Sequence, residues 1–306
     1  MAADWDLVVV GGGIAGLSAG LFARRSGLKT LLVEKQLPGG QLINAPLIEY
    51  FPGSPEGING MELAMSLQEQ CMKHGLEIVA AEAYSLSLGQ PFVVKTTDGS
   101  WTASAVVVAT GAEPRKLEVP GEEELVGRGV SYCASCDGHF FANQVVAVVG
   151  GGDSALEEAL ELASVASRVI VIHRGRQLKA CKSLQERAFG NDKIEFIWHT
   201  VVERIEGKDS VEGLSLKNSE TGAVQSLPVS GIFVYVGYRP ASDFLGGVLK
   251  TTEDGYLTVS GTMETSARGI FAAGALRAGT TGQVITAAAD GALAALSAEK
   301  FISSLA

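Results

Sequence analysis

The run GGGIAG at Gly11–Gly16 constrains this chain more than any other stretch. It follows the apolar segment Leu7–Val10 and precedes Leu17, Leu21 and Phe22 at helical spacing. A continuous apolar run of that kind is expected of a buried parallel strand. Gly11, Gly13 and Gly16 then stand in G-x-G-x-x-G spacing between a strand and a helix, and Gly27 follows where a helix would stop. A second strand, Thr30 to Val33, ends in Glu34. The glycines let a backbone approach a pyrophosphate whose charge lies at a helix N-terminus. An acid at the end of the next strand can accept from ribose hydroxyls.

The pattern then repeats. Val145 to Val149 reads as a strand, Gly150, Gly152 and Ala155 repeat the spacing, Glu157 to Ala163 reads as a helix, and Val169 to Ile172 as the following strand. Gly11 and Glu34 are 23 positions apart, and so are Gly150 and His173. Two copies in register predict two nucleotide sites in one chain. They differ in sign at the ribose-reading position. Glu34 suits the free hydroxyls of FAD or NAD, whereas His173, Arg174, Arg176 and Lys179 suit a 2′-phosphate.

The rest of the chain is acidic, with a net charge of −10, which argues against nucleic acid as a partner. No apolar run approaches the ~18 residues of a membrane span. Asp4 and Asp6 precede the first strand in place of a basic signal region, so a cytoplasmic location is expected. Of the four cysteines only Cys133 and Cys136 are close, as C-x-x-C just ahead of the second nucleotide unit. That spacing is redox or half a metal site. Zinc would need four ligands, and beyond His139 the chain offers only the solitary Cys71 and Cys181. Asp137 excludes c-type haem by occupying the place of its histidine. The redox reading is therefore preferred, with no metal. Asp137 is either a proton donor to a thiolate or part of an Asp-Gly turn.

GGGIAGLSAG, GGQL, ATGA, CASCDG, GGGDSALEEA, QERA and GIFAAGA occur in an order that resembles the low-molecular-weight thioredoxin reductases over essentially the whole chain. The resemblance implies an α/β fold: two Rossmann-like three-layer domains of the two-dinucleotide-binding flavoprotein class, the second inserted into the first. Residues 1–114 and 241–306 would bind FAD, and 115–240 would carry the pyridine nucleotide site and the cysteines. It implies a homodimer that passes electrons from NADPH through FAD and the Cys133–Cys136 disulfide to a thioredoxin-like protein. Cys133 would attack the partner, Cys136 would face the flavin, and Asp137 would be the acid. FAD contacts would fall at Gly11, Gly13, Ala15, Gly16, Glu34, Lys35, Gly40, Gln41, Ala109, Thr110, Gly111, Gly274, Ala275, Gln283 and Val284. The second site would use Gly150, Gly152, Asp153, Ser154, Ala155, His173, Arg174, Arg176 and Lys179. Crossing segments near Glu113–Leu117 and Arg239–Ser242 would act as hinges.

Three departures mark a divergent member. The family's His-Arg-Arg-x-x-x-Arg motif is HRGRQLK here, with Gly175 and Lys179 in place of two arginines. Lysine cannot reproduce the forked arginine contact to phosphate. Ala275 stands where the family has an aspartate for the ribityl chain, and Tyr50 where it has asparagine. The departures point to a changed electron donor. The alternative is thus a pyridine-nucleotide-independent reductase fed by ferredoxin or another flavin carrier, with a second flavin in the NADPH-type site. A non-catalytic flavin redox sensor would share both cofactor and dithiol but lack turnover. A ferredoxin–NADP reductase relative would lack CASCDG.

Overall fold

Each glycine turn lies where a buried strand gives way to a helix packed on the sheet that strand belongs to. A computed structural model describes residues 3–305. The chain opens with β1 (Trp5–Val10), α1 (Ile14–Arg25) and β2 (Thr30–Glu34), then α2 (Gly60–Lys73) and β3 (Glu77–Ala80). A meander follows, β4 (Ala83–Ser87), β5 (Phe92–Thr96) and β6 (Gly99–Val108), and then the short β7 (Ala112–Pro114). Next come β8 (Val130–Ser131), the one-turn α3 (Ala134–Asp137), β9 (Val145–Gly150), α4 (Asp153–Val165), β10 (Arg168–Ile172), α5 (Lys182–Phe189) and β11 (Ile194–Ile197). A second meander of β12 (Thr200–Gly207), β13 (Val211–Asn218) and β14 (Val224–Pro228) leads to β15 (Gly231–Tyr235), β16 (Tyr238–Pro240), β17 (Ile270–Ala272) and α6 (Val284–Ser303). The chain divides into two compact units, Met1–Glu113 with Arg239–Ala306, and Pro114–Tyr238.

In the first unit the sheet order is β3-β2-β1-β6-β5-β4, with β17 also on β6. β1 pairs in parallel with both β2 and β6. Its apolar run is continuous because both faces are covered. Leu7 and Val9 join the core under α1 and α6, while Val8 and Val10 join the opposite core with Leu257 and Leu276. Each such side chain contributes roughly 1.5–3 kcal/mol by leaving water. β6 changes character along its length. Gly99–Ala103 pairs antiparallel with β5, while the fully buried Val106–Val108 pairs in parallel with β1 and β17.

The second unit repeats the plan with the order β11-β10-β9-β15-β8. Val146 and Val148 face α4, and Ala147 and Val149 face a core that includes Val202, Leu214 and Leu216 of the second meander. That meander forms a separate three-stranded sheet that no motif in the sequence announces. The second helix is also longer than expected, starting at Asp153 instead of Glu157. Its first turn is hidden in sequence because glycine, aspartate and serine read as loop.

Candidate functional site: two glycine turns and a disulfide

Two of the three glycines in the first turn are required by the protein's own backbone, and the third is not. Gly11 has φ +102°, and a Cβ there would lie 2.4 Å from Ala109 O. At Gly16 a Cβ would lie 1.8 Å from Gly11 O. Gly13 has φ −68°, open to any residue, and its Cβ would meet nothing nearer than Gly40 Cα at 3.9 Å. The space beside Gly13 is therefore free of protein. No side chain caps α1 at Gly13, whereas Asn59 caps α2 by accepting from the amides of Met61 and Glu62. An uncapped helix start with open space before it fits an anionic phosphate.

The other residues expected around this turn lie near the ends of β1 and β6, neighbouring strands of the sheet whose connections run in opposite directions. Glu34 accepts from Gly12 N at 2.5 Å and Gln36 N at 2.9 Å. The Gly39–Gly40 turn lies on this loop, with Gly39 N donating to Gly12 O at 2.8 Å. Gln41 Nε2 donates to Ala112 O, and Thr110 Oγ1 to Ala241 O at 2.7 Å. Gly111 sits at φ +72°. Lys35 reaches Glu113 and Glu82 at the surface. Gly274 and Gly291 lie against Ala15 and leave no room for side chains, which brings α6 onto the start of α1. Gln283 is the exposed N-cap residue of α6, and Val284 opens that helix.

Where the family aspartate is absent, Ala275 follows Gly274, whose amide donates to the buried Asp290. Arg277 closes on the same carboxylate at 2.6 and 2.9 Å. Neither Arg277 nor Asp290 was singled out in the sequence. Tyr50 is 60% exposed, so it is not a core residue.

The second turn follows the same rules. At Gly150 a Cβ would lie 2.4 Å from Tyr235 O, and at Gly152 it would meet nothing within 4 Å. Gly152 is an uncapped N-cap, and Ala155 is buried in the third place. Asp153 accepts from Cys181 N at 2.7 Å, and Lys179 N donates to Gly151 O at 2.7 Å, so residues 179–181 fold back over the turn. The His173 ring is turned inward, with Nδ1 3.1 Å from Gly150 O and Nε2 3.0 Å from Gln177 O. Both partners only accept, so a neutral ring donates to one and a doubly protonated ring to both. Arg174, Arg176 and Lys179 are exposed beside it.

Cys133 and Cys136 are joined as a disulfide across α3 in this second unit. Cys133 is the N-cap and half-buried; its sulfur accepts from Cys136 N at 3.2 Å. Cys136 is exposed and Asp137 half-buried. Glu122, only 1% exposed, accepts from the amides of Leu117 and Glu118 and from the Tyr132 hydroxyl at 2.7–2.8 Å. This fixes the residue before Cys133, and burial together with Glu122 raises the Tyr132 phenol. Sequence gave no signal for Glu122, which sits in a run of three glutamates that reads as a solvated face.

The other two cysteines are far apart in character. Cys71 is fully buried, donates to Leu17 O, and burial pushes its thiol up to about 11; Cys181 is exposed. A mild alkylating agent is therefore expected to label one thiol per native oxidised chain, Cys181, with Cys71 reacting only on unfolding. Intact mass would read this, and two labels at equal rates would refute it.

The chain matches the pyridine nucleotide-disulphide oxidoreductases over residues 5–291. It is 42% identical to a thioredoxin reductase of Peptoclostridium litorale, covering 98% of both chains, and 40% identical to that of Bacillus subtilis (strain 168), covering 98% of this chain and 96% of the relative. The crystal structure of Lactococcus lactis thioredoxin reductase in its FR conformation superposes with a TM-score of 0.96 at 42% identity, covering 98% of this chain and 100% of that one.

Proposed function

This chain belongs to the pyridine nucleotide-disulphide oxidoreductase family, on its low-molecular-weight thioredoxin reductase branch, and from that premise we propose that it is an FAD-dependent enzyme reducing the disulfide of a thioredoxin-like protein. The observation that carries this reading is the Cys133–Cys136 disulfide, placed in the same unit as the second glycine turn. The first unit, with Glu34 at its ribose position, is the FAD domain. The second takes NADPH at Gly150–Ala155, with Arg174, Arg176 and Lys179 around the 2′-phosphate. The chain works as a cytoplasmic homodimer.

FAD, when bound, supplies a two-electron relay between the donor and the disulfide. The first turn would hold it through the N-terminal amides of α1, which no side chain caps, and through Glu34. Opening of the Cys133–Cys136 bond releases two sulfur anions, and Asp137, next to Cys136, gives one of them a proton. The Cys133 thiolate then attacks the partner disulfide, and Cys136 resolves the mixed disulfide, returning the pair to its oxidised form. The segments around β7 and β16, where the chain leaves and re-enters the first unit, serve as hinges.

A donor screen tests the proposal: NADPH, NADH and reduced ferredoxin, read at the flavin absorbance and then by reduction of thioredoxin. Bleaching by NADPH followed by thioredoxin reduction is expected; no turnover with any donor would leave only a sensor. Arg174→Ala is expected to raise KM for NADPH roughly ten- to hundredfold, the worth of one charged hydrogen bond of about 1.5–3 kcal/mol, without altering that for NADH. Equal losses with both would remove Arg174 from the phosphate site. A second reading, with reduced ferredoxin as donor, is favoured by Gly175 and Lys179, where two phosphate-binding arginines are absent.

A further inference from the structure

Glu158 stands one hydrogen bond from the redox turn. It projects from α4, and its Oε2 accepts at 3.0 Å from the amide of Ala134, the residue directly after Cys133. That same amide lies 2.9 Å from the Tyr235 hydroxyl oxygen at the end of β15, and the Tyr235 hydroxyl in turn bonds the Glu158 carboxylate. Groups from α4, β15 and α3 thus close on a single backbone N–H. The Glu158 carboxyl is raised to about 7, first by burial and then by the charge of Glu161. The Tyr235 hydroxyl and the Ala134 amide pull it back, and Glu157 makes a smaller upward contribution. The Tyr235 phenol is raised by burial and by Glu158, and the nearby Tyr238 phenol is raised by burial against a hydrogen bond to Ser154. The titratable groups on the surrounding elements are Cys133, Cys136 and Asp137 on the turn, His139 just beyond it, Tyr235 and Tyr238 on the strand side, and Glu157 and Glu161 on α4 itself.

Nothing in the scheme above uses this carboxyl. We propose that Glu158 is a positioning residue that holds the redox turn through the Ala134 amide and takes up a proton when the Cys133–Cys136 disulfide is opened. The inference rests on the reading that this disulfide turns over. Two electrons enter, the S–S bond breaks, and negative charge appears on sulfur within the turn. A carboxylate beside that charge is disfavoured and takes a proton from solvent. Reoxidation of the pair by a partner disulfide removes the charge and releases the proton.

The sign follows from linkage. The dithiol state binds the Glu158 proton more tightly than the disulfide state, so rising pH works against reduction. Where the carboxyl is neutral in both states, or ionised in both, it adds no pH dependence. Between its two titrations it does.

The experiment uses the full-length holoprotein of wild type and Glu158→Gln, equilibrated without oxygen in dithiothreitol buffers from about pH 5.5 to 9. The fraction of Cys133–Cys136 reduced is read by quenching with an alkylating agent and weighing the protein. Dithiothreitol supplies the two electrons and is itself oxidised to its cyclic disulfide. The ratio of the wild-type reduction equilibrium to that of Glu158→Gln is expected to fall about three- to tenfold across neutral pH and to level off on either side. Proton uptake by the sulfurs that is independent of Glu158 is common to both proteins, so the ratio isolates the part coupled to this carboxyl. A ratio flat over the whole range overturns the proposal, since a merely structural glutamate would shift both states alike. Tyr235→Phe gives a second reading that does not depend on Glu158→Gln folding. It removes the hydroxyl that holds the carboxyl down in both states, so the ratio of the wild-type reduction equilibrium to that of Tyr235→Phe is expected to depart from a constant through the neutral range and to return to it on either side; a ratio constant throughout overturns the proposal. The equilibrium needs neither nucleotide nor thioredoxin, so failure of the proposed function would show separately, as loss of turnover with the step retained.

Discussion

Cys136→Ser is expected to lower thioredoxin turnover by on the order of a thousandfold or more while leaving flavin content unchanged. The reaction needs two sulfurs that alternate between a disulfide and a dithiol. Serine cannot form the disulfide, so electrons have no acceptor in the second unit. The remaining Cys133 thiol can still attack an oxidised partner once, and the mixed disulfide it forms has no resolving thiol. A stable covalent adduct with thioredoxin should therefore accumulate at up to one per chain, visible on a non-reducing gel. Flavin binding should persist because the first glycine turn and Glu34 belong to the other unit. Reduction of the bound flavin by the donor should persist as well. Near-normal thioredoxin turnover by Cys136→Ser would sink the proposed electron path.

The parts of this site that could be read from sequence are those fixed by neighbours in the chain. Gly11 and Gly16 are dictated by contacts within one turn and with the adjacent strand end, so their spacing survives as a pattern. The alternation of the sheet's two faces is equally local, which is why Leu7–Val10 announced a strand covered on both sides. The basic cluster of His173, Arg174, Arg176 and Lys179 is expected beside the second glycine turn from register alone. What register could not tell is that the His173 ring turns inward to Gly150 O and Gln177 O, leaving the arginines and Lys179 outward.

Glu158 was illegible for a different reason. EE in the middle of an amphipathic helix reads as a solvated face, and Glu157 is indeed exposed. One step along, Glu158 turns toward a tyrosine 77 positions away and an amide 24 positions away. Those partners meet only once β15 lies beside β9 and the redox turn packs on α4. Asp290 is a parallel case, since Arg277 and Gly274 reach it only when α6 has docked. Polar groups whose partners come from other elements carry no local signature.

The sharpest separation of the two glycine turns comes from one methyl group placed in each. Gly13→Ala is expected to give a folded protein without flavin, its affinity for FAD reduced by roughly a hundred- to ten-thousandfold, the cost of losing two charged contacts to phosphate. The backbone at Gly13 tolerates any residue and no protein atom lies within 3.9 Å of the new Cβ, so only a ligand drawn close to the helix start would meet it. Gly16→Ala is the steric control. Its Cβ would fall 1.8 Å from Gly11 O, so the turn itself must break and the first unit should unfold at lower temperature. Gly152→Ala repeats the Gly13 experiment in the second unit, where nothing lies within 4 Å. It should keep full flavin absorbance and lose bleaching by NADPH over the same range. Bleaching and turnover with reduced ferredoxin would be untouched by Gly152→Ala if that is the donor. A Gly13→Ala protein that remains fully yellow would mean that the pyrophosphate does not rest on α1, and the assignment of FAD to the first unit would fall with it.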